Sequence, residues 1–203
     1  MPTDLVVHIV DDDPAIRDSL SFLLETTDIA ARTYDSAPAL LARADRLEPG
    51  CILTDVRMPE MNGLEMVRRL TEFGVRHPVI VMTGHADVPL AIEAMRAGVK
   101  DFIEKPFDDE ALLSSIRSAL AVGAEAIEQE GQGAELRARL ESLSPRERQV
   151  LDGLVAGQAN KVIAYDLGLS PRTVEVYRAN VMTKMQARSL SELVRMSMVA
   201  QRA

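Results

Sequence analysis

The chain has 203 residues, 47% of them hydrophobic and 27% charged, the composition of a soluble globular protein with one large or two ordinary domains. No run of about 18 apolar residues could span a bilayer, and Met1-Pro2-Thr3-Asp4 lacks the basic start of a secretory leader. The single cysteine, Cys51, cannot close an intramolecular disulfide and heads an apolar run as an inert thiol, so the expected setting is reducing and cytoplasmic, with no membrane.

The net charge of −8 is unevenly spread. Residues 1–122 carry 12 Lys+Arg against 21 Asp+Glu, residues 123–142 carry 2 against 5, and residues 143–203 carry 9 against 5. Only the last part is basic, which favours a nucleic-acid surface at the C-terminus.

In chain order, the β-rich run Leu5–Val10 is followed by Pro14–Thr26, whose apolar residues (Ile16, Leu20, Leu23, Leu24) recur at helical spacing. The alternation repeats in Ala30–Tyr34 and Ala37–Ala44, then in Cys51–Thr54 and Gly63–Glu72. It continues in Val79–Met82 and Val88–Ala97, then in Asp101–Ile103 and Asp108–Val122. Five strand–helix units predict an α/β doubly wound, five-stranded parallel sheet of the flavodoxin-like kind, covered by helices on both faces. Residues 1–122 are the expected first domain.

Residues 123–142 are acidic, glycine-containing and poor in large apolar residues, as expected of a linker that is partly a helical extension, with a boundary near Gly131. From Ala134 onward there are no strand signals, only four or five helices, so residues 143–203 are expected to form an all-α helix-turn-helix domain. Ser144-Pro145-Arg146-Glu147 has the pattern of a capping box, Ser170-Pro171 opens another helix, and Ser189-Leu190-Ser191-Glu192 is a second capping-box pattern.

Acidic and polar residues stand at the ends of the apolar runs. Asp11, Asp12 and Asp13 follow the first, Asp55 ends the third, Thr83 follows the fourth and Lys105 the fifth. In a doubly wound parallel sheet these ends share one rim, where ligands bind. Asp11, Asp12 and Asp55 are therefore expected to converge beside Thr83 and Lys105, while Asp13, directly before Pro14, caps the first helix. Grouped carboxylates need a cation beyond Lys105, and an all-oxygen set suits Mg²⁺. A carboxylate so placed can attack phosphorus and become an aspartyl phosphate, with Lys105 and the Thr83 hydroxyl holding the remaining oxygens.

The stretches "IVDDD", "ILTDVRMPEMNGLEM", "VIVMTGHAD" and "AMRAGVKDFIEKPF" resemble the receiver domain of bacterial two-component response regulators. That resemblance implies phosphorylation of Asp55 by a histidine kinase and Mg²⁺ at Asp11, Asp12, Asp55 and the backbone carbonyl of Arg57. It also implies a cis Lys105–Pro106 peptide and a switch pair, Thr83 and Phe102, that reshapes the face made by the fourth helix, fifth strand and fifth helix. Arg57 and His85 flank the expected pocket and are expected to tune the phosphate lifetime by screening water.

Within "NKVIAYDLGLSPRTVEVYRANVMTKM", a short helix (Ile163, Ala164, Leu167) meets Gly168, and Ser170 caps a second helix. Projected at about 100° per residue, Val174, Tyr177, Val181 and Met185 share the core stripe. Arg172, Glu175, Val176, Ala179, Asn180 and Thr183 lie opposite, a surface suited to a major groove. Lys161, Arg172, Thr173, Lys184 and Arg188 are expected phosphate contacts, whereas Arg178 projects near the core edge. The stretch from "LSPRERQVL" to "TKM" is similar to the LuxR/NarL class of DNA-binding domains, and the whole chain resembles FixJ-type regulators of nitrogen fixation. The resemblance implies a transcriptional activator of nitrogen-fixation or microaerobic genes, served by a haem-containing oxygen-sensing kinase, RNA polymerase and promoter duplex DNA, and a homodimer when phosphorylated. Nothing in the chain itself senses oxygen, since His8, His77 and His85 have no metal-ligand spacing.

Two other readings use the same residues. An Mg²⁺-dependent phosphohydrolase could also work through an aspartyl phosphate, although such enzymes place a general acid two residues after the nucleophile, where this chain has Arg57. A receiver whose helical tail binds RNA or protein is the third. Against both, the chain is expected to be no enzyme beyond slow loss of its own phosphate.

Overall fold

Five apolar runs form five strands, β1 (Val6–Val10), β2 (Ala30–Tyr34), β3 (Gly50–Asp55), β4 (Val79–Thr83) and β5 (Asp101–Glu104). They pair in parallel in the order β2-β1-β3-β4-β5. The computed structural model describes residues 5–84 and 88–202. Helices α1 (Pro14–Glu25), α2 (Ala37–Leu41), α3 (Gly63–Glu72) and α4 (Val88–Arg96) provide the crossovers, and α5 (Asp109–Glu141) follows the last strand.

Both sheet faces are buried, so the inner strands are mostly apolar. Val7, Ile9, Leu53, Ile80 and Met82 pack with Leu20 and Leu24 of α1 and Leu112 and Ile116 of α5. On the opposite face Val10, Ile52, Val79 and Val81 pack with Leu40 of α2, Leu64 and Val67 of α3 and Ala94 of α4. The polar exception in β1 is His8, buried but satisfied by the Tyr34 hydroxyl at 3.1 Å and the Glu48 carbonyl at 2.8 Å. Cys51 is also buried, and the desolvation pushes its thiol pKa up to about 12. It is the inert residue the sequence suggested.

The helix expected over Ala37–Ala44 is shorter. It stops at Leu41, and a 3₁₀ turn at Ala44–Arg46 follows. The last helix of the first domain is longer than expected. α5 continues through Val122 and Gly131 to Glu141, because Ala, Glu and Gln, all strong helix formers, outweigh the cost of the glycines.

Contacts divide the chain into two units, Met1–Ile127 and Glu128–Ala203. In the second, helices α6 (Pro145–Val155), α7 (Asn160–Leu167), α8 (Pro171–Met185) and α9 (Leu190–Arg202) surround a core of Leu140, Val150, Leu151, Ile163, Val174 and Val181. Leu136 and Leu140, within the segment read as linker, belong to this packing. The capping box at α6 is complete, with Glu147 N–H donating to Ser144 Oγ at 3.3 Å and Ser144 N–H to Glu147 Oε2 at 2.7 Å. The second one is only half formed. Ser189 Oγ accepts from Glu192 N–H, but the Glu192 carboxylate accepts from Arg188 N–H at 2.7 Å, one residue earlier than a reciprocal box requires. Among the described residues no helix is long and apolar enough to cross a membrane.

Candidate phosphoacceptor site and nucleic-acid interface

The chain leaves β1 toward β2 on one side and reaches β3 on the other, so the crevice of this sheet opens at the C-terminal ends of β1 and β3. Asp11 lies just past the first and Asp55 ends the second. Both are nearly buried, at 2% and 8% exposure. The Lys105 ammonium bridges them, 2.9 Å from Asp11 Oδ2 and 2.7 Å from Asp55 Oδ1. Burial alone would lower the Lys105 pKa. The hydrogen bonds to Asp55 and Asp11 outweigh it and hold the ammonium above its ordinary value.

Each carboxylate is also fixed by backbone. Asp55 Oδ2 accepts from Arg57 N–H at 2.6 Å, and Asp11 Oδ1 from Asp13 N–H at 2.9 Å. Arg17 donates to the Asp11 carbonyl at 2.7 Å. Lys105 is placed by its own N–H, which donates to the Thr83 carbonyl at 2.7 Å and carries the β4–β5 ladder one residue further. The Lys105–Pro106 peptide is cis. Thr83 is buried at the end of β4, and Phe102 is half-buried against the core beside Val81.

Asp12 departs from the expected convergence. Successive residues leaving an extended strand turn to opposite sides, and with Asp11 inward Asp12 is exposed. Asp13 is held outward as well, its Oδ1 accepting from Ala15 N–H at 2.8 Å to cap α1. Among the described residues no three His, Cys, Asp or Glu groups gather as a metal cage. Two buried carboxylates and the nearby Arg57 carbonyl are hard oxygen donors, and Mg²⁺ commonly takes one or two carboxylates and keeps its waters, so the donor set fits that ion. The Arg57 side chain is exposed, and what it offers Asp55 is an N–H rather than a carboxylic proton. His85 lies outside the described residues.

Gly63, at the start of α3, was not singled out from sequence. A Cβ there would lie 2.2 Å from the Asp55 carbonyl and 3.1 Å from Thr54 Oγ1. Only glycine lets α3 pass this close behind the acidic strand end. Its signal was the Asn62-Gly63 pair, a helix cap followed by a residue with no side chain; Asn62 Oδ1 accepts from Glu65 N–H at 2.7 Å.

In the second unit α7 ends at Gly168, whose φ of 66° makes the tight turn into α8. Ser170 Oγ accepts from Thr173 N–H at 3.1 Å and bonds the Thr173 hydroxyl at 2.7 Å. Val174, Val181 and Met185 are buried and Tyr177 half-buried, while Arg172, Glu175, Val176, Ala179, Asn180 and Thr183 are exposed on the opposite side. Lys161 and Arg188 are exposed; Arg178 is half-buried and turns to Asn160 Oδ1 at 3.5 Å. The Thr183 hydroxyl donates back to the Ala179 carbonyl at 3.0 Å.

Lys184, an expected phosphate contact, also serves the fold. Its ammonium sits 2.7 Å from Glu147 Oε2 and 3.2 Å from the Ser142 carbonyl and neutralises a carboxylate only 4% exposed, while its own side chain stays exposed. The Lys184 hydrogen bond, followed by the Ser144 N–H, holds Glu147 below its ordinary carboxyl pKa. Arg139 Nη1 donates to the Met185 carbonyl at 3.1 Å, which ties the end of α5 to the end of α8. Tyr165, 87% exposed on α7, was also passed over in the sequence.

Residues 7–117 match the response regulator receiver domain, and residues 141–197 match the bacterial regulatory proteins of the luxR family. The transcriptional regulatory protein FixJ of Azorhizobium caulinodans is 57% identical over 200 residues, covering 98% of this chain and 95% of that protein. The chain belongs to the FixJ-type response regulators. A crystal structure of full-length FixJ from B. japonicum, 49% identical, covers 99% of each chain with a TM-score of 0.60. The structure of the response regulator StyR, 36% identical, covers 95% of this chain and 98% of that one, with a TM-score of 0.82. A FixJ-type regulator is a DNA-binding transcriptional activator switched by phosphorylation of its receiver, and the donor for such receivers is a histidine kinase.

Proposed function

We propose that Asp55 is the phosphoacceptor and that its esterification switches the chain as an activator of nitrogen-fixation or microaerobic genes. The observation that carries this reading is the pair of Asp55 contacts at 2.7 Å to the Lys105 ammonium and 2.6 Å to Arg57 N–H, at the crevice of the sheet. They fix one carboxylate at the rim with an ammonium and an N–H already aimed at the oxygens of an incoming phosphoryl group. Mg²⁺ bound at Asp11, Asp55 and the Arg57 carbonyl would offset the charge of the acids and the phosphoryl group.

The donor is a sensor histidine kinase, in this reading a haem-based oxygen sensor. An exposed apolar surface beside the rim supports its approach there. Phe22, 68% exposed, borders a groove of about 460 Å³ whose wall includes Ile16, Lys105, Pro106 and Phe107. Thr83 and Phe102 pass the change to the face of α4 and β5, where exposed Ile92 and Met95 offer an apolar surface for a second receiver. Paired receivers present two α8 helices to a promoter of two half-sites, where the activator meets RNA polymerase.

The test is a gel shift on promoter duplex with and without acetyl phosphate and Mg²⁺. Acetyl phosphate is expected to tighten binding by the wild type and leave Asp55→Asn unchanged. An equal gain in both would remove Asp55 from the switch.

A further inference from the structure

Glu175 is the sole acid in α8, and it stands on the reading face of a segment whose balance is 9 Lys+Arg against 5 Asp+Glu. Arg172 and Arg178 lie three residues to either side, the spacing of helical ion pairs. The Glu175 carboxylate nevertheless makes no ion pair or hydrogen bond among the described residues, and Arg178 turns instead to Asn160. Val176 and Ala179, its neighbours on that face, are small, exposed and uncharged, so they leave it room to reach a base edge.

An exposed, unpaired carboxylate carried toward a duplex meets the repulsion of the phosphates and weakens binding at every sequence. One groove partner offsets that. Cytosine presents its N4 amino donor without an adjacent acceptor. Adenine sets N7 beside its amino group, while guanine offers O6 and N7 and thymine O4, all of which repel a carboxylate.

We infer that Glu175 selects cytosine at one position of each half-site, accepting from its N4 amino group and rejecting the other three bases. This rests on the proposed reading that α8 enters the major groove of duplex DNA.

The test uses the full-length chain treated with acetyl phosphate and Mg²⁺, and a pool of duplexes with a randomised centre. Bound duplexes are sequenced for wild type, Glu175→Gln and Glu175→Ala, with circular dichroism to show that all three are folded. The wild-type pool is expected to favour C over every other base at one symmetric position by about fivefold or more. Glu175→Gln moves that position toward adenine, whose N6 and N7 suit an amide. Glu175→Ala loses the preference there, keeps it elsewhere, and binds random duplex more tightly. A common motif from all three proteins overturns this inference alone and leaves the proposed function standing. No motif from the wild type overturns both.

Discussion

At the scale of single residues, the proposed phosphoacceptor site depends as much on a missing side chain as on charges. Gly63 lets α3 pass behind the carbonyl of Asp55, where a Cβ would sit at 2.2 Å. Backbone cannot yield as a flexible side chain does, so Gly63→Ala must push apart the end of β3 and the start of α3. The expected loss of stability is about 1–3 kcal/mol or more, measured by urea unfolding, with slower labelling by acetyl phosphate. Gly84→Ala is the control, since a Cβ there meets nothing within 4 Å; it should unfold within about 0.5 kcal/mol of wild type. The acids and Lys105 were legible in the sequence because each ends an apolar run. Gly63 was not, because the closeness of two backbones depends on how α3 returns to the sheet.

At the scale of elements, α8 is held at both ends. Ser170 caps its start, while Lys184 and the Met185 carbonyl bind its end to Glu147 and Arg139. The buried stripe of α8 and the turn at Gly168 could be read from spacing alone. The use made of Lys184 could not, because helical projection assigns a face and says nothing of a buried acid brought up from another helix. Glu147 is held below its ordinary pKa, so its contribution is present above 4.5 and is lost as pH falls through the lowered value. Unfolding of residues 128–203 should therefore become easier on acidification below pH 4.5, and Glu147→Gln should flatten that part of the pH profile while lowering stability at pH 7. The measurement is thermal melting across pH. The extension of α5 past Gly131 was also missed, because an acidic, glycine-bearing segment was weighed for flexibility more than for its Ala, Glu and Gln content.

At the scale of the whole molecule, two titrating groups bound the pH range of the receiver. Burial holds the His8 pKa below 6.5, helped by the nearby His77 and Arg32 and opposed by Glu48. Its contribution is complete above 6.5 and is lost as pH falls toward the lowered value. Lys105 is raised, so its contribution is complete below 10.5 and is lost as pH rises through the raised value. Urea unfolding followed by a receiver probe should give a plateau between 6.5 and 10.5 that falls away on both sides. His8→Gln should remove the acid-side slope just below 6.5, and Lys105→Met the alkaline one. An unchanged acid-side slope in His8→Gln would assign it to other groups. The five-stranded parallel sheet followed from the strand–helix alternation, and the helical second part from the loss of strand signals after Ala134; the order β2-β1-β3-β4-β5 was not read from the sequence. Nor was the pairing of His8 with Tyr34 and Glu48, since its partners lie 26 and 40 residues away. The grip of Arg139 on Met185 and the burial of Leu140 also bear on where this protein can be cut. A fragment beginning at residue 143 would lack both, so an excised output domain intended for crystallisation or reporter assays should begin near residue 128, where the second unit starts.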